Sequence, residues 1–204
     1  MINKHYNNLL FVLDKTFVPY IDTIKKQFIN SNIYIIFIDN YDKLPNISNI
    51  TLIKGNIYSN KSNYLFKNKD YVFYGIFTIN SSLYYGLKNI INSCFIFKIK
   101  KLILLNKIGS TFNCLLHNPI NYYSYFWLNK IESHIEQYKS IDSMKIDILR
   151  INCINNKVEG KLFIKYNHDD LHFFNYNISY KSLFSIIKSC IQNNKNNTIY
   201  AIQI

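Results

Sequence analysis

Short, largely apolar runs alternate along this chain with longer segments in which apolar residues recur at helical spacing. The runs cover residues 9–13, 33–38, 50–53, 71–76, 102–105 and 146–149. Strands that are apolar on both faces are typical of parallel strands covered by helices on either side. Segments with helical spacing lie between several of these runs, at 18–28, 81–97 and 127–138. The pattern therefore predicts an α/β protein with a doubly wound parallel sheet.

The last quarter of the chain has a different pattern. Short strand-like pieces at 162–166 and 173–174 lie among asparagines and aspartates. Ser179 is a suitable N-cap for a following amphipathic helix, and residues 198–204 form a last apolar strand candidate. We expect a small C-terminal α/β addition. No linker, repeat or charge block divides the sequence, so residues 1–204 are interpreted as one domain.

The composition is unusual in a way that no fold requires. The 204 residues include 36 Ile and 30 Asn, but one Ala and one Arg. This bias is typical of a very AT-rich genome, so local composition is a poor guide to function. The net charge of +12 suggests an anionic neighbour such as nucleic acid, an anionic membrane or an acidic subunit. The alternative is a general drift toward lysine, because only residues 98–101 form a dense basic run.

Cysteine usage and hydropathy bear on the compartment. The four cysteines have no C-x-x-C spacing, which favours buried free thiols in a reducing environment. No apolar window is long and uninterrupted enough to predict a transmembrane segment. The N-terminus has neither the pattern of a signal peptide nor the Arg/Ser bias of a transit peptide.

Four segments, in order along the chain, resemble the atypical short-chain dehydrogenase/reductase family, in particular its NmrA-like members. Residues 50–59 resemble the third strand and its turn, and residues 81–105 resemble the long helix that leads into the fifth strand. Residues 128–151, with Arg150, and residues 178–204 resemble the two closing units. The resemblance implies a Rossmann fold with strand order 3-2-1-4-5-6 and an NAD(P) cofactor, and this chain is then a degenerate member.

The glycine-rich turn of that family is missing from the sequence. Leu13, Thr16 and Pro19 occupy the positions of its three glycines, which let backbone N–H groups approach the pyrophosphate. A side chain crowds the phosphate, Pro19 lacks an N–H, and Asp14 adds negative charge if it points into the turn. We therefore expect no dinucleotide to bind.

Two further positions matter to a nucleotide. Asp39 ends the second strand and would suit a ribose hydroxyl, but it is equally suited to a turn before Asn40. Asn56 stands where the family has an aspartate, and it could still reach an adenine.

The catalytic residues implied by the resemblance are also replaced. The family's hydroxyls after the fifth strand fall on Asn106 and Lys107, with Ser110 a few residues later. Its Tyr-x-x-x-Lys pair falls on Phe126 and Lys130. Three nearby tyrosines do not have the four-residue spacing to Lys130, and a shift of one residue along a helix turns the side chain by about 100°. They are Tyr122, Tyr123 and Tyr125. Lys130 is then a vestige or an ordinary solvated lysine.

Two other groups of residues allow a chemical interpretation. Residues 168–172 read H-D-D-x-H, a spacing that would suit a metal on a helix but also fits a polar loop. Cys114 and His117 have the residue types of a nucleophile and base, with nothing nearby to orient the histidine. We expect neither a metal site nor catalysis there.

The sequence thus favours a non-catalytic protein that serves as a structural, accessory or assembly subunit of a larger complex, its partners being protein subunits. A mitochondrion or plastid fits the resemblance, the charge and the thiols. Two alternatives stay open. One is an NAD(P)-binding oxidoreductase or nucleotide sensor with a remodelled turn, in which Asp39, Asn56 and Lys130 contact NAD or NADP. The other is an RNA-binding scaffold, for which the charge is suitable.

Overall fold

The computed structural model describes residues 7–38, 49–57, 59–76, 81–107, 130–131, 133–138, 144–151, 153–154, 160–166 and 177–203. These residues form ten strands: β1 (Asn7–Leu13), β2 (Ser31–Phe37), β3 (Ile50–Leu52), β4 (Tyr71–Gly75), β5 (Lys101–Lys107), β6 (Lys145–Ile151), β7 (Cys153–Ile154), β8 (Leu162–Tyr166), β9 (Asn177–Ile178) and β10 (Asn197–Gln203). The α-helices are α1 (Ile21–Gln27), α2 (Ser81–Ile96) and α3 (Tyr180–Gln192), with a helical segment at 130–131 and 133–138. Two 3₁₀ helices cover Lys15–Tyr20 and Asn60–Phe66.

The main sheet has eight strands in the order β3-β2-β1-β4-β5-β6-β10-β8. Strand β1 is central and pairs in parallel with both β2 and β4. The one antiparallel pairing in this sheet is between β10 and β8. This topology confirms the predicted doubly wound sheet of order 3-2-1-4-5-6. Strands β8 and β10 of the C-terminal part extend the same sheet, and β7 and β9 form a separate parallel pair.

The sheet separates two hydrophobic cores. Alternate side chains of β1 enter opposite cores, with Phe11 on one face and Val12 on the other, both essentially buried. The first core is covered by α1 and α3, and the second by α2 and the helical segment at 130–138. Burial on both faces explains why consecutive residues of the central strands, such as residues 9–13 of β1, are apolar rather than alternate ones.

The helices agree with the predicted periods, with one change at the first. Residues 15–20 form a 3₁₀ helix, and α1 begins at Ile21. Pro19 lies inside the 3₁₀ helix, where it lacks the N–H that an α-helix would use. The N-cap prediction is confirmed, because the Ser179 hydroxyl accepts a hydrogen bond from Ser182 N at 3.2 Å. Residues 173–174 lie outside the described residues.

Cysteine burial and helix length also bear on the predictions. Cys94 and Cys190 are free and buried, and burial raises the pKa of both thiols. Within the described part of the chain, no helix is long and apolar enough to cross a membrane.

A buried ion pair joins the sheet to α3. The Lys101 ammonium lies 2.9 Å from an Asp147 carboxylate oxygen, and both side chains are at most 2% exposed. Lys101 also donates to the carbonyl oxygens of Cys190 and Lys195, at 2.9 and 3.0 Å. The other Asp147 oxygen accepts from Asn197 N at 2.9 Å. Burial raises the pKa of Asp147, and the hydrogen bond and charge of Lys101 oppose that rise.

We expect Lys101→Met to lower the free energy of unfolding by about 3–5 kcal/mol, because it leaves a buried carboxylate without its cation. Urea unfolding followed by circular dichroism measures the change. Lys100→Met is the matched control, since the Lys100 side chain is 61% exposed in its pair with Asp70 and such pairs contribute about 0–1 kcal/mol. Equal, small losses in both variants would contradict a structural role for the buried pair.

Candidate functional site

Open α/β sheets bind ligands outside the carboxyl ends of their strands, where the order of strands reverses. In this protein that point lies between β1 and β4. Leu13 ends β1, and its register partners are Phe37 on β2 and Gly75 on β4. The residues after Leu13 form the turn that would face a ligand, so their geometry decides what this edge can bind.

The end of β1 is filled by its own side chain. Leu13 is completely buried. A Cβ on Gly75 would lie 2.9 Å from Leu13 Cδ2 and 2.5 Å from Phe73 Cε1. Because Gly75 has no side chain, the Leu13 and Phe73 side chains can pack against its backbone. The Leu13 side chain therefore fills space that a glycine at this position would leave open.

The turn after β1 satisfies its own hydrogen-bond donors. Asp14 caps the 3₁₀ helix, and its carboxylate accepts from Thr16 N at 2.9 Å and also from the Thr16 hydroxyl. Phe17 N donates to the Asp14 carbonyl oxygen at 3.2 Å. A carboxylate of the chain therefore takes the place next to backbone N–H groups where a phosphate would bind.

An aromatic cluster closes the turn against α3. Phe17 is completely buried, and its ring centre lies 5.3 Å from that of Tyr180, edge to face. Tyr20 stacks on Tyr180 with ring centres 3.5 Å apart. The Tyr180 hydroxyl donates to the Thr16 carbonyl oxygen at 3.4 Å. The contacts join residues about 160 positions apart, so no local pattern in the sequence predicts roles for Phe17 and Tyr180.

Two other predicted site residues, Asn56 and Lys130, do not lie at this turn. Asn56 is exposed after β3, and β2 separates β3 from β1, so these two strands are roughly 10 Å apart. Lys130 is exposed, with its ammonium 5.1 Å from the ring centre of Tyr84 on α2. Its helical segment covers the sheet face opposite to the Leu13 side chain.

The other predicted residues lie at the end of β5 or outside the described residues. Asn106 and Lys107 are the last two residues of β5, in register with Arg150 and Ile151. The others lie outside the described residues: Asp39, Ser110, Cys114, His117, Tyr122, Tyr123, Tyr125, Phe126 and the H-D-D-x-H segment at 168–172. Among the residues that are described, no three His, Cys, Asp or Glu side chains form a group that could hold a metal.

No family model and no curated protein matches this sequence. Solved structures do, with 115 matching chains. A candidate epimerase from Bacteroides thetaiotaomicron has a TM-score of 0.74 at 11% identity, over 98% of this chain and 99% of that one. A Rossmann-fold NAD(P)-binding family protein from Shigella flexneri has a TM-score of 0.68 at 15% identity, over 96% and 93%.

A third neighbour was solved with a nucleotide. It is a wide-type short-chain dehydrogenase/reductase from Veillonella parvula in complex with NADP, with a TM-score of 0.64 at 12% identity, over 96% of this chain and 94% of that one. The structural neighbours are therefore NAD(P)-binding Rossmann-fold proteins of the dehydrogenase and epimerase kind, as the resemblance implies. At these identities the likeness establishes the fold of this chain.

We expect Gly75→Ala to lower the free energy of unfolding by about 1–3 kcal/mol, because the new methyl group overlaps Leu13 and Phe73. Thermal and urea unfolding measure the loss. The penalty should be smaller in a Leu13→Ala background, where one of the two contacts is gone. An identical penalty in both backgrounds would contradict the packing of Leu13 over Gly75.

Proposed function

We propose that this chain is a non-catalytic Rossmann-fold protein that acts as a structural, accessory or assembly subunit of a larger complex. The observation that supports this most directly is the closed turn after β1. Its backbone donors bond to Asp14, in the place where a dinucleotide pyrophosphate would need them. A fold is maintained by packing, which is specified separately from a binding site.

Three independent features of the turn act against a phosphate. The Leu13 side chain fills the end of β1. The Asp14 carboxylate repels an anion and competes for the same donors. Pro19 removes one N–H from the turn. Because each acts through a different physical effect, one relaxed side chain would not reopen the site.

The partners in this proposal are protein subunits, and the compartment is an organelle such as a mitochondrion or plastid. The +12 charge and the buried free thiols are consistent with this setting. The subunit role is tested by purifying the endogenous protein and identifying what accompanies it by mass spectrometry. We expect protein subunits in fixed stoichiometry. A lone monomer with reductase activity would contradict the proposal.

The second candidate is an NAD(P)-binding oxidoreductase or nucleotide sensor. The observation that favours it is the fold itself, since the neighbours include a reductase solved with NADP. In this alternative Asp39, Asn56 and Lys130 contact the nucleotide, and the pyrophosphate lies away from the Asp14-capped turn.

We expect no saturable binding of NADH or NADPH at micromolar concentration, because the pyrophosphate donors are already bonded within the chain. Titration calorimetry and the fluorescence of the reduced nicotinamide measure this. The reductase from Veillonella parvula, solved with NADP, is the positive control for the assay.

Asp14→Ala tests the contribution of the cap to the closed turn. Loss of the cap should lower the free energy of unfolding by about 0.5–2 kcal/mol, and we expect it to create no nucleotide binding, since Leu13 and Pro19 remain. Saturable binding by the parent chain would contradict the non-catalytic proposal and favour the second candidate.

A further inference from the structure

Six lysines lie along the edge of the sheet opposite to the candidate site. They belong to the loops and residues that lead into the neighbouring strands β4, β5, β6 and β10, and we call them the amino-edge surface: Lys67, Lys69, Lys98, Lys100, Lys145 and Lys195. Four strands side by side span about 15 Å. Backbone hydrogen bonds hold adjacent loops together, from Lys100 N to the Asp70 carbonyl oxygen at 2.9 Å and from Lys145 N to the Lys100 carbonyl oxygen at 3.1 Å.

The amino-edge surface is strongly positive. Among the described residues of these loops, the one carboxylate outside the buried Lys101–Asp147 pair is Asp70, which pairs with Lys100 at 2.8 Å. Lys67, Lys98, Lys100 and Lys195 are exposed. Lysines that lead into adjacent strands, whose backbones are about 5 Å apart, repel one another within the screening length of about 8 Å at physiological salt. A negatively charged partner would relieve that repulsion, which makes this edge complementary to a polyanion.

The same edge exposes aliphatic side chains. Each helix that connects parallel strands ends at this edge, because it returns the chain from the carboxyl end of one strand to the amino end of the next. Ile29, in the turn after α1, is 76% exposed, and Ile96, the last residue of α2, is 59% exposed. Because α1 and α2 cover opposite faces of the sheet, the two isoleucines lie on opposite sides of this edge.

The combination of lysines and isoleucines selects the kind of polyanion. Nucleic acids offer phosphates to lysines, and their bases stack on aromatic rings rather than on aliphatic side chains. An anionic bilayer offers phosphates to the lysines and an apolar interior to the isoleucines. Tyr64 and Phe95, next to the same loops, are 64% and 37% exposed, and their rings suit either a base or a bilayer interface. The aliphatic side chains of Ile29 and Ile96 suit the bilayer alone, so the two isoleucines favour a lipid bilayer.

Lys98 adds a conformational observation. It follows α2 with φ of 53°, the left-handed region that glycine and asparagine prefer at helix ends. Phe95 accepts its N–H at 3.1 Å through the backbone carbonyl. The lysine side chain is thus presented at the tip of this loop by a backbone conformation that glycine would adopt more easily.

We propose that the amino-edge surface binds anionic phospholipid bilayers peripherally, with its lysines on the headgroups and with Ile29 and Ile96 inserted. Only this edge approaches the bilayer, so the candidate site at the opposite edge faces away from it. The binding does not depend on whether the chain also binds a nucleotide.

Vesicle flotation of the full 204-residue chain tests the proposal. The probes are vesicles of phosphatidylcholine alone and vesicles with about one third phosphatidylserine. We expect flotation with the phosphatidylserine vesicles only, and weaker flotation as salt is raised. Flotation with both vesicles alike, or with neither, would overturn the proposal.

Two charge variants separate this surface from the overall charge. Lys67→Gln/Lys98→Gln/Lys195→Gln should weaken the partition coefficient about a hundredfold, at about fivefold per lysine. The matched control, Lys15→Gln/Lys54→Gln/Lys181→Gln, removes three exposed lysines near the carboxyl edge and should retain most of the binding. Equal losses in the two variants would mean that binding follows net charge alone and would overturn the proposal.

Two further variants test insertion and exclude unfolding. Ile29→Ser/Ile96→Ser should weaken partitioning about tenfold or more, whereas Leu52→Ser, at the carboxyl end of β3, should not. Lys98→Gly should bind about fivefold more weakly while its thermal midpoint stays equal or rises. Full binding by the isoleucine variant, or displacement from vesicles by single-stranded RNA at equal phosphate, would overturn the assignment to a bilayer.

Discussion

The buried pair of Lys101 and Asp147 fixes the position of α3, and much of the molecule depends on that helix. The Lys101 ammonium bonds to carbonyl oxygens at the C-terminal end of α3 and in the loop before β10. At its other end, α3 places Tyr180 against the turn after β1. The Lys101 ammonium at the amino edge therefore anchors the C-terminal end of α3, and the N-terminal end of the same helix packs against the turn at the carboxyl edge. Either charge would be costly if it were buried without its partner, so Lys101 and Asp147 stabilise the fold only as a pair.

The two edges of the sheet consequently differ in chemical character. At the carboxyl edge, the Asp14 carboxylate accepts the backbone N–H of Thr16, and the Leu13 side chain fills the apolar space at the end of β1. At the amino edge, lysines and isoleucines are left toward solvent. In a parallel α/β protein the carboxyl edge normally carries the ligand. Among the described residues, the turn after β1 is occupied by the chain itself, whereas the amino-edge surface leaves a dense group of lysines accessible to a partner.

Much of the fold follows from the sequence, because burial on both faces gives the central strands β1 and β2 runs of consecutive apolar residues. The boundary between the 3₁₀ helix and α1 was missed, since the helical spacing continues across Pro19. The role of Lys101 was not predictable either. It ends the basic run 98–101, where local pattern cannot distinguish a buried lysine from its exposed neighbour Lys100. Asp147 did interrupt an apolar strand, which is the signal of a buried partner.

Glycine usage separates what the fold needs from what a phosphate site needs. The chain has five glycines. Gly75 lies where a Cβ would overlap Phe73 and Leu13, and Gly160 has φ of 123°, which other residues rarely adopt. Both meet demands of packing or backbone geometry. The turn after β1 places no such demand, because its 3₁₀ helix is regular and Asp14 caps it. Since Gly75 and Gly160 are kept where packing or backbone geometry requires glycine, a general loss of glycine does not explain its absence from the turn, and this agrees with our proposal that no phosphate binds there.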